Sequence, residues 1–212
     1  MLSIVLTGAA LLSGSKNAAL PEKDIDGTIF LVNRQHVISE QYVPEPLRKT
    51  QVYGMSQSMR EDAATALEEL FQAAQADGIK LSSVSGYRSY SKQSLLYDRK
   101  TKRTGSETEA DKLVARPGAS EHQLGLAMDL ATRNSSTLSE KFGSTPEGQW
   151  VYANCQRFGF IVRYLKGYED VTGYSFEPWH IRYVGPEHAE AIAASGLPFE
   201  TYLSGWKLEL YD

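Results

Sequence analysis

The sequence predicts an α+β fold, one domain built on a small, mostly antiparallel sheet with helices packed around it. Three observations predict it. The chain has 212 residues, which suits one domain of roughly 150–200 residues plus a short appendage. Apolar residues recur at helical spacing in segments bounded by capping residues and glycines. Between them lie short β-forming runs, and helices layered on a small sheet suit that order.

Residues 1–27 read as a trimmed export-signal or membrane-anchor remnant with a linker, and residues 28–212 as the folded domain. Leu2 to Leu12 is mostly apolar and is followed by Ser13-Gly14-Ser15, like the end of a signal whose basic start is missing. It is too short to span a bilayer alone. Thr28-Ile29-Phe30-Leu31-Val32 is expected to be a strand ended by Asn33-Arg34, and residues 40–57, with two prolines, a long surface loop. Ser58 and Glu61 form a capping-box pattern opening a helix that carries Ala63, Leu67, Leu70, Phe71 and Ala74 and stops at Asp77-Gly78. Ile79, Leu81 and Ser83 alternate into a strand ending in Ser85-Gly86-Tyr87-Arg88-Ser89. There Ser89 is placed to cap a helix from about Ser91 to Lys102.

Residues 103–119 are polar, with a turn at Arg116-Pro117-Gly118, and the second half of Ser120 to Leu130 reads as a strand. Thr145-Pro146-Glu147 starts a helix through Phe158 that Gly159 ends. Phe160 to Tyr164 and Trp179 to Val184 are strands, and Pro186 opens a last helix through Ala194, closed by Gly196. Asp170 to Phe176, polar with Gly173, suits either a flap or a connecting hairpin.

Hydrophobic content of 42% and charged content of 23% belong to a soluble globular protein. The net charge is −4, and no extended basic face for nucleic acid is visible. The single cysteine, Cys155, excludes an internal disulfide and reads as a small buried side chain. Nothing suggests an obligate dimer, and a monomer is expected.

Of four histidines, His122 and His180 lie in dense polar surroundings. Asp129 follows His122 by seven residues across the small Gly125 and Ala127, and Glu177 precedes His180 by three. Two histidines, a carboxylate and an open position make a catalytic zinc site. Zinc lowers the pKa of bound water to about 7, and a nearby carboxylate then takes its proton. By chemistry alone Asp129 and Glu177 are interchangeable as third ligand and base. A satisfied core histidine and a turn-capping aspartate explain the same spacing equally well. His36 reads as a loop residue and His188 as a surface residue of the last helix.

Ser120-x-His122-x-x-Gly125-x-Ala127-x-Asp129, with Glu177-Pro178-Trp179-His180 downstream, resembles the bacterial D-alanyl-D-alanine carboxypeptidase metallopeptidases. That family includes vancomycin-resistance D,D-carboxypeptidases and L,D-carboxypeptidases that trim wall tetrapeptides. The resemblance extends to Ser85-Gly86-Tyr87-Arg88-Ser89, Gly159 to Tyr164 and Arg182-Tyr183-Val184-Gly185, over roughly residues 58–190. It implies His122, Asp129 and His180 as ligands of Zn2+, Glu177 as general base, and Arg88 at the scissile carbonyl oxygen. Ser120 and Gln93 become candidates for substrate contact, and Trp179 for packing beneath the metal. Tyr87, Tyr164 and Tyr183 read as core or cleft-wall aromatics.

The resemblance therefore implies an extracytoplasmic zinc D,D-carboxypeptidase acting on the terminal D-Ala-D-Ala bond of peptidoglycan stems. Its alternatives are an L,D-carboxypeptidase, a wall endopeptidase, or a non-catalytic zinc-stabilised wall-binding module. One geometric difficulty accompanies these roles. Residues three apart point oppositely on a regular strand, so Glu177 and His180 require a bend or bulge near Pro178.

Overall fold

The computed structural model describes residues 25–209. A hairpin of β1 (Leu47–Lys49) and β2 (Ser58–Arg60) leads into α1 (Glu61–Ala76). The central sheet comprises β3 (Leu81–Ser85), β4 (Ala127–Thr132), β5 (Phe160–Tyr164) and β6 (Glu177–Tyr183). Its spatial order is β3-β4-β6-β5, with every pairing antiparallel. Between strands run α2 (Tyr90–Thr104), α3 (Glu107–Asp111), α4 (Pro146–Asn154) and α5 (Glu169–Thr172), and α6 (Pro186–Ser195) and α7 (Phe199–Glu209) close the chain. The α+β expectation is met. Among the described residues, no helix is long and apolar enough to cross a membrane.

Side chains alternate across a strand, so each face of the sheet takes its own set. Met128 and Leu130 of β4, Phe160 of β5 and Ile181 of β6 join Leu67, Leu70 and Ala74 of α1 and Val151 of α4 in the main core. The opposite face of β4 carries Ala127, Asp129 and Ala131, all buried and small around the carboxylate. Ile161 and Val184 meet Ala189 and Ile192 of α6 and Phe199 of α7 in a second cluster.

Several local signals act as expected. The Ser89 hydroxyl accepts from the Lys92 amide at 3.3 Å, and Thr145 caps α4 through the Gly148 amide at 3.1 Å. Other expectations are corrected. Thr28 to Val32 is irregular: the carbonyls of Thr28 and Phe30 accept from the Arg182 guanidinium, at 2.9 Å each, and join no ladder. Ser58 does not cap α1, because it pairs with Lys49 in the hairpin; Arg60 holds the N-cap position without a side-chain cap. The expected loop 40–57 therefore contains β1. The helix begun at Pro146 tightens into a 3-10 turn over Cys155–Phe158 before Gly159 ends it. Asp170 to Phe176 is no hairpin, since α5 occupies its start and Tyr174 is buried against Tyr164, with ring centroids 4.9 Å apart. The apolar stretch Leu2 to Leu12 lies outside the described residues.

Candidate active site

Strand register assembles the centre. Asp129 on β4 lies directly opposite His180 on β6, so both project from the same face. His180 Nδ1 is 3.0 Å from Asp129 Oδ1. His122 enters from a 3-10 turn over Glu121–Leu124 that Gly125 ends in the left-handed region, at φ 68°. Its Nδ1–H donates to the Gly86 carbonyl at 2.8 Å, which aims Nε2 at Asp129 Oδ2, 3.3 Å away. Gly86 has to be glycine: a Cβ there would sit 2.5 Å from the Ser58 carbonyl oxygen.

His122 Nε2 is buried without a hydrogen-bond partner, and an orphaned lone pair facing a carboxylate oxygen is repulsive unless a cation lies between them. One donor atom from each of His122, Asp129 and His180 lies within 4.8 Å of the others. Two ligands held about 2.0–2.2 Å from a tetrahedral zinc sit roughly 3.3–3.6 Å apart. The three side chains fit a zinc ion.

The electrostatics agree. Burial, with Arg88 nearby, pushes His122 down to about 4, leaving it the neutral imidazole that binds metal. Burial opposes Asp129's charge, but the two histidines hold its carboxyl well below the usual range. Burial also opposes a charge on His180, yet its hydrogen-bonded carboxylates Asp129 and Glu121 outweigh that and raise it to about 9.

The difficulty at Glu177 resolves as a bulge. The β5–β6 register runs from Val162↔Ile181 to Tyr164↔Glu177, so β6 carries two extra residues around Pro178. Glu177 Oε2 comes to 4.0 Å from His180 Nδ1. Burial raises the Glu177 carboxyl to about 7, with Asp129 adding and His180 and Arg88 opposing. Arg88 Nη2 lies 3.9 Å from Asp129 Oδ2, and its Nε is buried without a partner.

These groups line a cleft of about 360 Å³ that also takes in Ser120, Gln93, Lys100 and Trp179. Gln93 is buried, 1% exposed, and its amide donates to the Ala115 carbonyl at 2.7 Å. Trp179 is half-buried, packed on the main core and forming cleft wall. Tyr164 lies tilted against His180, centroids 5.1 Å apart, while Tyr183 meets Phe160 in the core. His36 and His188 stay outside the cleft, against Asn33 and Tyr202.

Sequence reasoning missed Glu121, whose side chain is fully buried. Its Oε2 is 3.4 Å from His180 Nε2, and its Oε1 pairs with Arg163 at 2.7 Å and Arg182 at 3.0 Å. A signal existed in the arginines, for a cation inside an apolar strand run needs a buried counter-charge. No local pattern pointed to Glu121 as that partner.

Comparison with known proteins places this site in a family. A model described as VanY, D-alanyl-D-alanine carboxypeptidase, matches residues 56–186. The chain is 42% identical over 184 residues to the putative carboxypeptidase YodJ of Bacillus subtilis (strain 168), covering 84% of this chain and 67% of that protein. Its match thus spans about two thirds of that relative. The fold aligns with the LdcB LD-carboxypeptidase at a TM-score of 0.81 and 41% identity, covering 86% of this chain and 88% of that one. It also aligns with a vancomycin-resistance D,D-pentapeptidase VanY in complex with Zn(II), at 0.72 and 38% identity, covering 83% and 98% respectively. The chain belongs to the VanY family of D-alanyl-D-alanine carboxypeptidases.

Proposed function

We propose that this cleft hydrolyses the terminal D-Ala-D-Ala peptide bond of peptidoglycan stems, with His122, Asp129 and His180 as the zinc ligands. The observation that carries the reading is the orphaned His122 Nε2 facing Asp129, with Arg88 beside Asp129 and Glu177 beside His180. Zinc held there supplies a Lewis acid and brings the pKa of coordinated water to about 7. Glu177 is the general base. It accepts a proton as water oxygen bonds to the carbonyl carbon, and returns it to the leaving amine as the C–N bond breaks. A carboxyl ionising near neutrality suits both transfers.

Arg88 meets the negative charge that develops on the carbonyl oxygen. Ser120 and Gln93 contact the substrate from the cleft wall. Release of D-Ala from synthetic pentapeptide stems tests this, and zinc-loaded protein that releases none refutes it.

The likeness to an LD-carboxypeptidase at the higher TM-score supports a second reading, removal of D-Ala from tetrapeptide stems. Parallel assays on penta- and tetrapeptides separate the two. A wall-binding module has no need of a carboxylate beside the metal, so loss of hydrolysis in Glu177→Ala with zinc retained excludes it. A wall substrate supports action outside the cytoplasm; the reading includes a monomer with residues 28–212 as its peptidase domain. The same reading takes residues 1–27 as a signal or anchor remnant with a linker. Cell fractionation and size-exclusion chromatography of the expressed protein check both points.

A further inference from the structure

Each nitrogen of His180 faces a carboxylate: Nδ1 faces Asp129 at 3.0 Å and Nε2 faces Glu121 at 3.4 Å. The neutral imidazole that a metal requires therefore has two competing arrangements. With its proton on Nδ1 it donates to Asp129 and joins two would-be ligands to each other. With its proton on Nε2 it donates to Glu121 and presents the Nδ1 lone pair to a metal.

Glu121 is itself held in place. Its Oε1 accepts from Arg163 Nε and forms an ion pair with Arg182 Nη1, leaving Oε2 aimed at the histidine. The remaining nitrogens of Arg163 donate to both oxygens of Glu200 on α7, at 2.8 and 2.6 Å. Arg182 Nη2 donates to the carbonyls of Thr28 and Phe30. The ring of Phe199, next to Glu200, lies 5.3 Å from the Arg163 guanidinium and 5.5 Å from that of Arg182. Two arginines and two glutamates form a formally neutral cluster, buried except at Glu200. Its outer members, Thr28, Phe30 and Glu200, all lie outside residues 56–186 that match the family model.

We infer that Glu121 is the positioning residue of the metal centre, fixing the tautomer of His180. Glu200 on the C-terminal helix is its outer support, so segments flanking the family's common block complete the site. The inference rests on the reading of His122, Asp129 and His180 as metal ligands. Partners that orient a ligand histidine are typically worth about 10–100-fold in metal affinity.

The test uses the full chain and competition with a chromophoric zinc chelator. Glu121→Gln is expected to weaken zinc binding about 10–100-fold. Glu200→Gln, farther away and partly exposed, is expected to weaken it roughly three- to tenfold, with Glu200→Asp recovering part of the loss. Nitrogen NMR of zinc-loaded protein should find the His180 proton on Nε2, donated to a carboxylate. A folded Glu121→Gln or Glu200→Gln with wild-type zinc affinity overturns the inference, as does a proton on Nδ1. If Glu121→Gln does not fold, Glu200→Gln and the wild-type NMR decide. Wild-type protein that binds no zinc would instead sink the metal reading beneath it.

Discussion

Replacing Glu177 with glutamine should make the metal-stripped protein more stable at neutral pH while destroying its activity. The substitution preserves shape and removes one ionisable group. In the fold the Glu177 carboxyl is pushed from an ordinary 4.5 up to about 7, chiefly by burial in the cleft. Its folded value lies above its unfolded one, so the group contributes no penalty below pH 4.5. The cost grows as pH rises from 4.5 to 7, where the unfolded chain loses this proton and the fold retains it. Above 7 the wild type carries the full cost of a buried carboxylate, at most about 3 kcal/mol at 1.36 kcal/mol per pH unit. Glutamine carries none.

The stability difference, variant minus wild type, should be near zero at pH 4.5 and reach about 2–3 kcal/mol in favour of the variant by pH 8. Urea unfolding of chelator-treated proteins across that range measures it. The same variant should lose about 10²–10⁴-fold in D-Ala release with zinc restored, since an amide accepts no proton. A difference that does not change with pH, or a variant less stable than wild type at pH 8, would refute the claim that the cleft penalises this charge.

Three further outcomes follow from other parts of the site. Arg88→Ala should lower kcat by about 10²–10³-fold with little change in zinc affinity, the outcome required by its proposed place at the carbonyl oxygen; steady-state kinetics with metal analysis decides. Gly86→Ala drives a methyl toward the Ser58 carbonyl and displaces the carbonyl that orients His122. It should cost about 1–3 kcal/mol and weaken zinc binding, and a neutral result by urea unfolding and chelator competition would contradict the packing described. The Cys155 thiol is 3% exposed and pushed up to about 12 by burial. It should react with a disulfide reagent at pH 8 only as fast as the protein opens, and rapid labelling of native protein would show otherwise.

The sequence by itself determined the local features. The stop at Asp77-Gly78, the Ser89 cap, Thr145-Pro146 and Pro186 mark helix boundaries because each acts within one turn of chain. The residue types for zinc chemistry were legible too, along with the need for a distortion between Glu177 and His180. Where local signals misled, a distant partner had taken the groups involved. Ser58 was committed to Lys49 across a hairpin, and the carbonyls of Thr28 and Phe30 to the Arg182 side chain.

Only the tertiary structure decided which carboxylate stands at the histidines' nitrogens. Asp129 and His180 are 51 residues apart, and they meet because β4 pairs with β6 in a register that no property of either strand reveals. No local pattern marked Glu121, since its importance comes from Arg163, Arg182 and, through them, a C-terminal helix the periodicity did not announce. Hydrophobic period and capping are short-range and can be read along the chain. Register and buried charge pairing depend on segments that become neighbours only on folding, which is why Asp129 rather than Glu177 lies nearest both histidines.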